Sequence, residues 1–277
     1  MTGILYIVPT PIGNLGDISE RVKSTLADVD FVACEDTRVG GKLLFLLDIK
    51  KELVKHHDHN KKQSAAYITD RLLKGESCAL ISDAGTPAIS DPGEVLVNLC
   101  HKEGVTVLPL PGPCAAVCAL SASGLPSRRF VFEGFLPDKG KERKERLSAL
   151  ATEERTTIIY CTPHDLKKDV ADLYQALGNR KLTLTRELTK VNEQICFTTL
   201  KEVSDLIEKG VIPCKGELAL VLEGSDGSAA MDDAFWADMD IPTHVAHYQA
   251  LGFTKMDAIK KAAKDRGVAK SVIYNEV

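Results

Sequence analysis

Four segments of this sequence are unusually rich in turn-forming, acidic or small residues, which suits them to hold a small polar ligand. They are Val8–Asp17, Glu35–Arg38, Ser82–Gly93 and Pro111–Ala115. In the third segment, Asp83 lies on a tight Asp-Ala-Gly-Thr turn, where its carboxylate can accept hydrogen bonds from a ligand. The alternative is an Asx-turn that only shapes its own loop. Small neighbours such as Ala84 and Gly85 allow a ligand to approach the backbone closely.

The elements between these segments alternate between strand and helix patterns. Apolar runs predict strands at Ile4–Val8, Phe31–Cys34, Cys78–Ser82 and Val105–Leu108, with helices between them. This alternation predicts a mostly parallel sheet with helices on both faces. Each of the four segments follows one of these strands, and ligands of open α/β sheets bind at the carboxyl ends of the strands. The sequence therefore predicts a site along this edge, unless Pro and Gly only shape tight turns there.

A second block of strands and helices begins at Phe130, with a break at Pro137–Lys141 after its first strand. Its predicted strands are Phe130–Phe135, Thr157–Tyr160, Lys181–Thr185 and Leu218–Leu222. Gly224–Ser228 has the composition of a linker, and Thr254 can cap a helix over Lys255–Asp265. We therefore predict an α/β fold with two α/β domains, at 1–124 and 125–224, and a small helical C-terminal domain at 225–277.

Bulk composition indicates an ordinary globular protein. The 277 residues are 44% hydrophobic and 27% charged, with a net charge of −4. No apolar run approaches the roughly 18–20 residues that cross a bilayer, and Ile4–Val8 fits a first strand better than a signal peptide, so we expect a cytoplasmic protein. The eight cysteines form no C-x-x-C pair, which favours reduced thiols. The run His56–His59 favours a polar loop over a zinc site, because adjacent residues rarely converge on one ion, and we expect no metal.

The glycine pattern bears on the kind of ligand. No segment matches G-x-x-x-x-G-K-[ST], which excludes a P-loop nucleotidase. Gly13 and Gly16 in the first segment do not form the dinucleotide fingerprint. A cofactor without phosphates fits better, and S-adenosylmethionine, with its sulfonium, amino acid and adenosine parts, is such a cofactor.

Taken together, the four segments resemble the tetrapyrrole methylase superfamily, and most closely its 16S rRNA (cytidine-2′-O)-methyltransferase branch. Further matching motifs are Ser123–Pro126, Phe130–Pro137, Arg186–Lys190 and Lys215–Leu218, in collinear order from about Gly3 to Gly224. The resemblance implies two α/β domains with S-adenosylmethionine in the cleft between them. It also implies a homodimer, and small-subunit ribosomal RNA or the assembled 30S subunit as substrate.

The resemblance also implies which residues line the cofactor cleft. From the first domain these are Pro11, Ile12, Asp83, Ala84, Gly85, Thr86, Ile89, Ser90, Cys114 and Ala115. From the second domain they are Tyr160, Cys161, Arg186, Glu187 and Glu217. The sequence departs from the branch at Cys114, where Ser is usual, at Gly40–Lys42, where more polar residues are expected, and at Cys161–Asp165, which lacks the usual acid and base.

The segment Glu35–Arg38 carries the groups that methylation of a ribose hydroxyl needs. A hydroxyl is a poor nucleophile and requires a base or a nearby cation. We expect Glu35 or Asp36 to orient or deprotonate the 2′-hydroxyl while Arg38 holds an adjacent phosphate. The alternative is a structural Asp–Arg pair that fixes the loop.

Two basic stretches are candidates for contacts with RNA. One contains Lys139, Lys141, Arg143, Lys144 and Arg146. The other is the C-terminal helix, near which Tyr248 and Phe253 can stack on bases, although a solvated helix face and core packing are the alternatives. Two rival functions stay open at this point: methylation of a tetrapyrrole precursor, and RNA binding without catalysis.

Overall fold

The computed structural model describes residues 2–226, 236 and 239–277, without the side chain of Lys264. The chain divides into two compact units, Met1–Gly224 and Ser225–Val277. The predicted linker at 224–228 lies partly outside the described residues. No helix in the described part of the chain is long and apolar enough to cross a membrane.

The first sheet is built from five parallel strands in the order β3-β2-β4-β1-β5. Their bounds are β1 Ile4–Ile7, β2 Phe31–Cys34, β3 Glu52–Lys55, β4 Cys78–Leu80 and β5 Thr106–Pro109. All residues of β2 and β4 are buried, because helices cover both faces of a parallel sheet. The mostly parallel sheet predicted from the alternation is confirmed.

Helices α1 Glu20–Asp28, α2 Thr37–Leu46, α3 Lys61–Leu73, α4 Glu94–Lys102 and α5 Ala115–Ala122 connect and cover these strands. Ser19 is the N-cap of α1, because its side chain accepts a hydrogen bond from the Val22 N–H. Helix α2 lies close to the sheet because Gly40 has no side chain: a Cβ there would come within 3.1 Å of Cys34 Sγ. This close approach fixes which face of α2 points outward.

The second sheet is mixed, with the order β6-β7-β10-β8-β9. The strands are β6 Phe130–Phe135, β7 Thr156–Cys161, β8 Lys181–Arg186, β9 Gln194–Thr199 and β10 Leu218–Leu222, with helices α6 Gly140–Ala151, α7 Leu166–Leu177 and α8 Leu200–Glu208. Only the pairing of β6 with β7 is parallel among these described strands. Leucine and other aliphatic residues of β7, β8, β10, α7 and α8 form one core.

Several elements differ from the sequence-based prediction. Strands β3 and β9 and the helix Ile241–Ala250 were not predicted. Both missed strands lie at sheet edges and expose part of their side chains, so they lack the continuous apolar run of a buried strand.

The unit 225–277 contains the helices Ile241–Ala250, Lys255–Asp265 and Lys270–Tyr274. They enclose a small apolar core of Val245, Ala258, Ile259, Ala262, Ala263 and Ile273. Tyr248 packs against this core and its hydroxyl donates to Asp265 Oδ2 over 2.6 Å. Core packing therefore describes Tyr248 better than a free stacking surface, whereas Phe253 is partly exposed. The predicted helical C-terminal region and the overall α/β fold are confirmed.

Candidate active site

A cavity of about 340 Å³ lies between the carboxyl edge of the first sheet and the second sheet, both within residues 1–224. This volume lies within the range of small-molecule sites. Two carboxylates, Asp91 and Glu217, line the cavity, and no Lys, Arg or His of the described chain does. Such a wall disfavours a ligand with phosphates and suits one that carries positive charge.

The loops of the first sheet form one wall of the cavity, and hydrogen bonds join these loops to one another. The Thr10 N–H donates to the Gly85 carbonyl over 2.9 Å, and the Gly85 N–H donates back over 3.1 Å. The Thr86 hydroxyl donates to the Pro113 carbonyl over 2.8 Å. Gly85 has a φ of +85°, and a Cβ there would come within 3.2 Å of the Ile12 side chain. These contacts fix the backbone of the cavity wall before any ligand arrives.

Tyr160 on β7, in the second sheet, connects the two sides of the cavity. Its hydroxyl accepts a hydrogen bond from the Ala116 N–H, in the first turn of α5, over 3.0 Å. Its ring contacts Phe132 and Phe135 edge-on. Burial raises the pKa of Tyr160 to about 12, so the hydroxyl stays protonated. A second tie runs from the Thr183 hydroxyl to the Ser123 carbonyl over 3.0 Å.

Replacing Tyr160 with Phe is expected to weaken cofactor binding by about two- to tenfold, because one net hydrogen bond across the cavity is lost. Calorimetric titration with S-adenosylmethionine measures the change. Tyr174→Phe, at a partly exposed position on α7, is the matched control. An unchanged dissociation constant for Tyr160→Phe would mean that this tie does not shape the cavity.

Most of the residues expected to bind the cofactor line this cavity. They are Ile12, Ala84, Gly85, Thr86, Ile89, Ser90, Cys114, Ala115, Tyr160, Cys161 and Glu217. The others, Pro11, Asp83, Arg186 and Glu187, are not part of its lining. The contacts that each of these residues makes with a cofactor stay predictions.

Glu187 supports the cavity indirectly. Its Oε1 accepts hydrogen bonds from the Glu217 N–H and from Lys190 Nζ, both over 2.9 Å. The bond from the Glu217 N–H, followed by that from Lys190, lowers the pKa of Glu187. Lys190 also pairs with the Glu217 carboxylate over 3.2 Å. These contacts hold the backbone at Glu217, which lines the cavity.

The expected catalytic segment lies beside the cavity and does not line it. Asp36 caps α2: its Oδ1 accepts from the Arg38 N–H over 2.8 Å and from Arg38 Nε over 3.1 Å. The side-chain bond to Arg38 and the bond from its backbone N–H lower the pKa of Asp36 to about 2. The structural Asp–Arg pair considered above is therefore present, and a carboxylate with so low a pKa is a weak base.

Glu35 has a different environment from Asp36. It is half-buried, and burial followed by repulsion from Asp83 raises the pKa of its carboxyl. Asp83 in turn accepts a hydrogen bond from the Asp36 N–H over 3.3 Å, which joins the loops after β2 and β4.

Asp91 is a candidate residue that sequence reasoning did not single out. It lines the cavity, and burial followed by repulsion from Glu35 raises its pKa to about 6. It belongs to the Ser82–Gly93 segment, but its setting depends on Glu35 from another strand. The segment indicated a site, and only the structure distinguishes Asp91 within it.

The run His56–His59 follows β3 and so lies on the same sheet edge as the other loops. His56 is buried and its Nδ1 lies 2.8 Å from the Ser64 hydroxyl. The His57 N–H donates to Asn60 Oδ1 over 2.8 Å, which winds the loop into α3. Within the described residues, no group of three His, Cys, Asp or Glu side chains is placed to hold a metal.

The basic stretch at 139–146 is not a uniform RNA-binding face, which corrects the prediction. Arg143 is only 5% exposed and donates to both Asp169 and Asp172 over 2.7 Å. Arg146 is paired with Glu133. A helix lying on the sheet needs one inward side, and Arg143 lies on it. The exposed bases are Lys139, Lys141, Lys144 and the paired Arg146.

Comparison with known proteins places these features in a family. Residues 4–204 match the family model of the Tetrapyrrole (Corrin/Porphyrin) Methylases. The chain is 45% identical over 273 residues to "Ribosomal RNA small subunit methyltransferase I" of Halalkalibacterium halodurans, covering 99% of this chain and 94% of that protein. It is 52% identical over 222 residues to the protein of the same name in Vibrio cholerae, covering 80% and 77%.

The fold is similar to that of a solved uroporphyrin-III C-methyltransferase from Thermus thermophilus, complexed with S-adenyl homocysteine. The TM-score is 0.54 at 16% identity, covering 79% of this chain and 97% of that one. The sheet edge, the tied loops and the family match agree along the first 204 residues. The chain therefore belongs to the tetrapyrrole methylase family.

Proposed function

We propose that this protein transfers a methyl group from S-adenosylmethionine to the ribose 2′-hydroxyl of a cytidine in 16S ribosomal RNA. The observation that carries the proposal is a small-molecule cavity whose described lining contains no basic side chain, formed by the same loops that carry the family resemblance. The ribosomal RNA methyltransferases described above, similar over 80% to 99% of this chain, support the RNA substrate. The solved relative that holds S-adenyl homocysteine supports the cofactor.

The residues of the cavity fit S-adenosylmethionine. When bound, this cofactor supplies an electrophilic methyl group on a positively charged sulfur. The tied backbone at Gly85 and Thr86 and the small side chains of Cys114 and Ala115 form a narrow wall for it. Asp91 and Glu217 provide acceptors for its polar groups, and their charges favour a cation over an anion.

The acceptor hydroxyl needs a proton acceptor beside this cavity. Asp91 lies in the wall, and its pKa near 6 leaves it ionised at neutral pH yet more basic than an ordinary carboxylate. We assign it the role of general base: its carboxylate takes the hydroxyl proton as the oxygen–methyl bond forms and the methyl–sulfur bond breaks. Glu35 raises the basicity of Asp91 by repulsion.

Asp36 and Arg38 act on the substrate in a different way in this proposal. Asp36 is committed to its ion pair and to the cap of α2, so it positions Arg38. The Arg38 side chain is 90% exposed, so its guanidinium can also contact a phosphate beside the modified ribose. Residues 225–277, with their basic helix, remain a candidate for further RNA contacts.

The proposed substrate also suggests the partner and the cellular location of the enzyme. Ribosomal RNA in the small subunit, free or in the assembled 30S particle, is the proposed partner, and we propose a cytoplasmic location on the same ground. A homodimer is proposed from the family resemblance.

The test is methyl transfer by the purified protein from labelled S-adenosylmethionine. The acceptors are 30S subunits from cells that lack the enzyme, naked 16S RNA, and a porphyrin precursor. We expect labelled 2′-O-methylcytidine in the subunit RNA by mass spectrometry. Label in the precursor alone would assign the protein to tetrapyrrole synthesis. Cofactor binding without transfer to any acceptor would remove the catalytic claim.

A further inference from the structure

The outward face of α2 carries an exposed aromatic residue among basic residues. Phe45 is 81% exposed, and Arg38 and Lys42 are exposed as well. These three residues follow one another at positions i, i+4 and i+7 of the helix, so their side chains lie along one stripe. We call Arg38, Lys42 and Phe45 the α2 stripe.

The α2 stripe begins at the active site. Asp36, which caps α2, donates its N–H to Asp83, and the next residue, Ala84, lines the cavity. Gly40 holds the opposite face of the helix against Cys34, so the stripe cannot turn inward. With a rise of about 1.5 Å per residue, Phe45 lies roughly 10 Å beyond Arg38 along the helix.

The positive charge around the α2 stripe indicates what kind of partner binds there. Residues 37–51 contain Arg38, Lys42, Lys50 and Lys51 and one acid, Asp48, in a chain whose net charge is −4. Lys42 forms no ion pair with any side chain in the described part of the protein. A second copy of this chain, docked here across a two-fold axis, would bring like charges together. A polyanion with exposed rings is complementary to both the bases and Phe45.

We propose that the α2 stripe binds the single-stranded RNA next to the modified cytidine. Phe45 stacks on a base that is out of its helix, and Lys42 contacts a phosphate, while Arg38 lies nearest to the reacting ribose. Aromatic stacking with neighbouring bases is the usual way in which proteins hold single-stranded RNA. The inference rests on the proposed function, because it identifies how the same site holds its RNA.

The test measures binding of the full-length protein to a fluorescein-labelled single-stranded RNA of mixed sequence, by fluorescence anisotropy over a series of salt concentrations. Phe45→Ala is expected to raise the dissociation constant by about 5- to 150-fold, as for the loss of one stacked base. Lys42→Gln is expected to reduce the slope of log affinity against log salt by about 0.7, the value for one phosphate of a single strand.

Phe197→Ala is the matched control, since Phe197 is 62% exposed but lies on β9, in the other sheet. It is expected to bind RNA like the wild type. Cofactor binding by calorimetry shows that each variant is folded. Wild-type affinity for Phe45→Ala and Lys42→Gln would overturn the proposal, as would a Phe45→Ala protein that changes only its oligomeric state in sedimentation. Failure of the wild type to methylate 30S subunits would instead overturn the proposed function.

Discussion

Replacing Asp91 with Asn is expected to slow methyl transfer by about 10²- to 10⁴-fold, the usual contribution of a general base. The amide keeps the size of the side chain and cannot take a proton. In the wild type, the rate should rise with pH and level off above about pH 6, where Asp91 is ionised. Single-turnover methylation of 30S subunits across this pH range measures both effects. A wild-type rate for Asp91→Asn would remove Asp91 from the chemistry.

Glu35→Gln provides the companion experiment. Glu35 is one of the groups that raise the pKa of Asp91, so its loss should move the acidic limb of the rate profile to lower pH without abolishing the reaction. If Glu35→Gln is inactive and Asp91→Asn is not, Glu35 is the base and the two roles are reversed.

The raised pKa of Asp91 also has a consequence for stability. A carboxyl whose pKa is raised by folding contributes stability below its ordinary pKa of 3.8, and this contribution is lost as the pH rises through about 6. Asp91→Asn should therefore melt at a higher temperature than the wild type at neutral pH, with a smaller difference below pH 3.8. Loss of activity together with gained stability distinguishes a catalytic group from one that supports the fold.

Replacing Arg143 with Met is expected to lower the free energy of unfolding by about 3–5 kcal/mol. Arg143 is buried between α6 and α7, and its removal leaves the buried Asp169 without its cation. Urea denaturation followed by circular dichroism measures the loss. The exposed Lys141→Met, two positions away in the same helix, should change stability little.

The double variant Arg143→Met/Asp169→Leu tests the cause of this loss. Removing both charges should restore much of the stability, because apolar residues of similar volume often replace a buried ion pair without loss. A single variant as stable as the wild type, or a double variant as unstable as the single one, would contradict the explanation. Asp169 Oδ2 also accepts from the Cys161 thiol over 3.2 Å, so the pair supports the cavity wall at Cys161.

The sequence predicts the sheet edge well because that edge depends on local patterns. The buried strands around Val32 and Ala79 are continuous apolar runs, and Gly85 marks a turn whose φ excludes most side chains. These features are properties of a few consecutive residues. The predicted strands and the location of the Ser82–Gly93 segment follow from them directly.

Other features depend on residues that are far apart in the chain. Burial, followed by repulsion from Glu35 on another loop, raises the pKa of Asp91, and Arg143 forms an ion pair with Asp169 in the next helix. The edge strand β3 has too few buried residues to show a strand pattern. Without that strand, the sequence could not assign the His56–His59 loop to the sheet edge. Charge and burial of this kind arise from the tertiary fold, which single-sequence patterns do not contain.

The absence of Lys, Arg and His from the described lining of the cavity bears on turnover as well as on binding. A wall with Asp91 and Glu217 attracts the positively charged methyl donor more than the neutral thioether that remains after transfer. In the proposed function, we therefore expect the two carboxylates to favour release of the product and binding of a fresh donor.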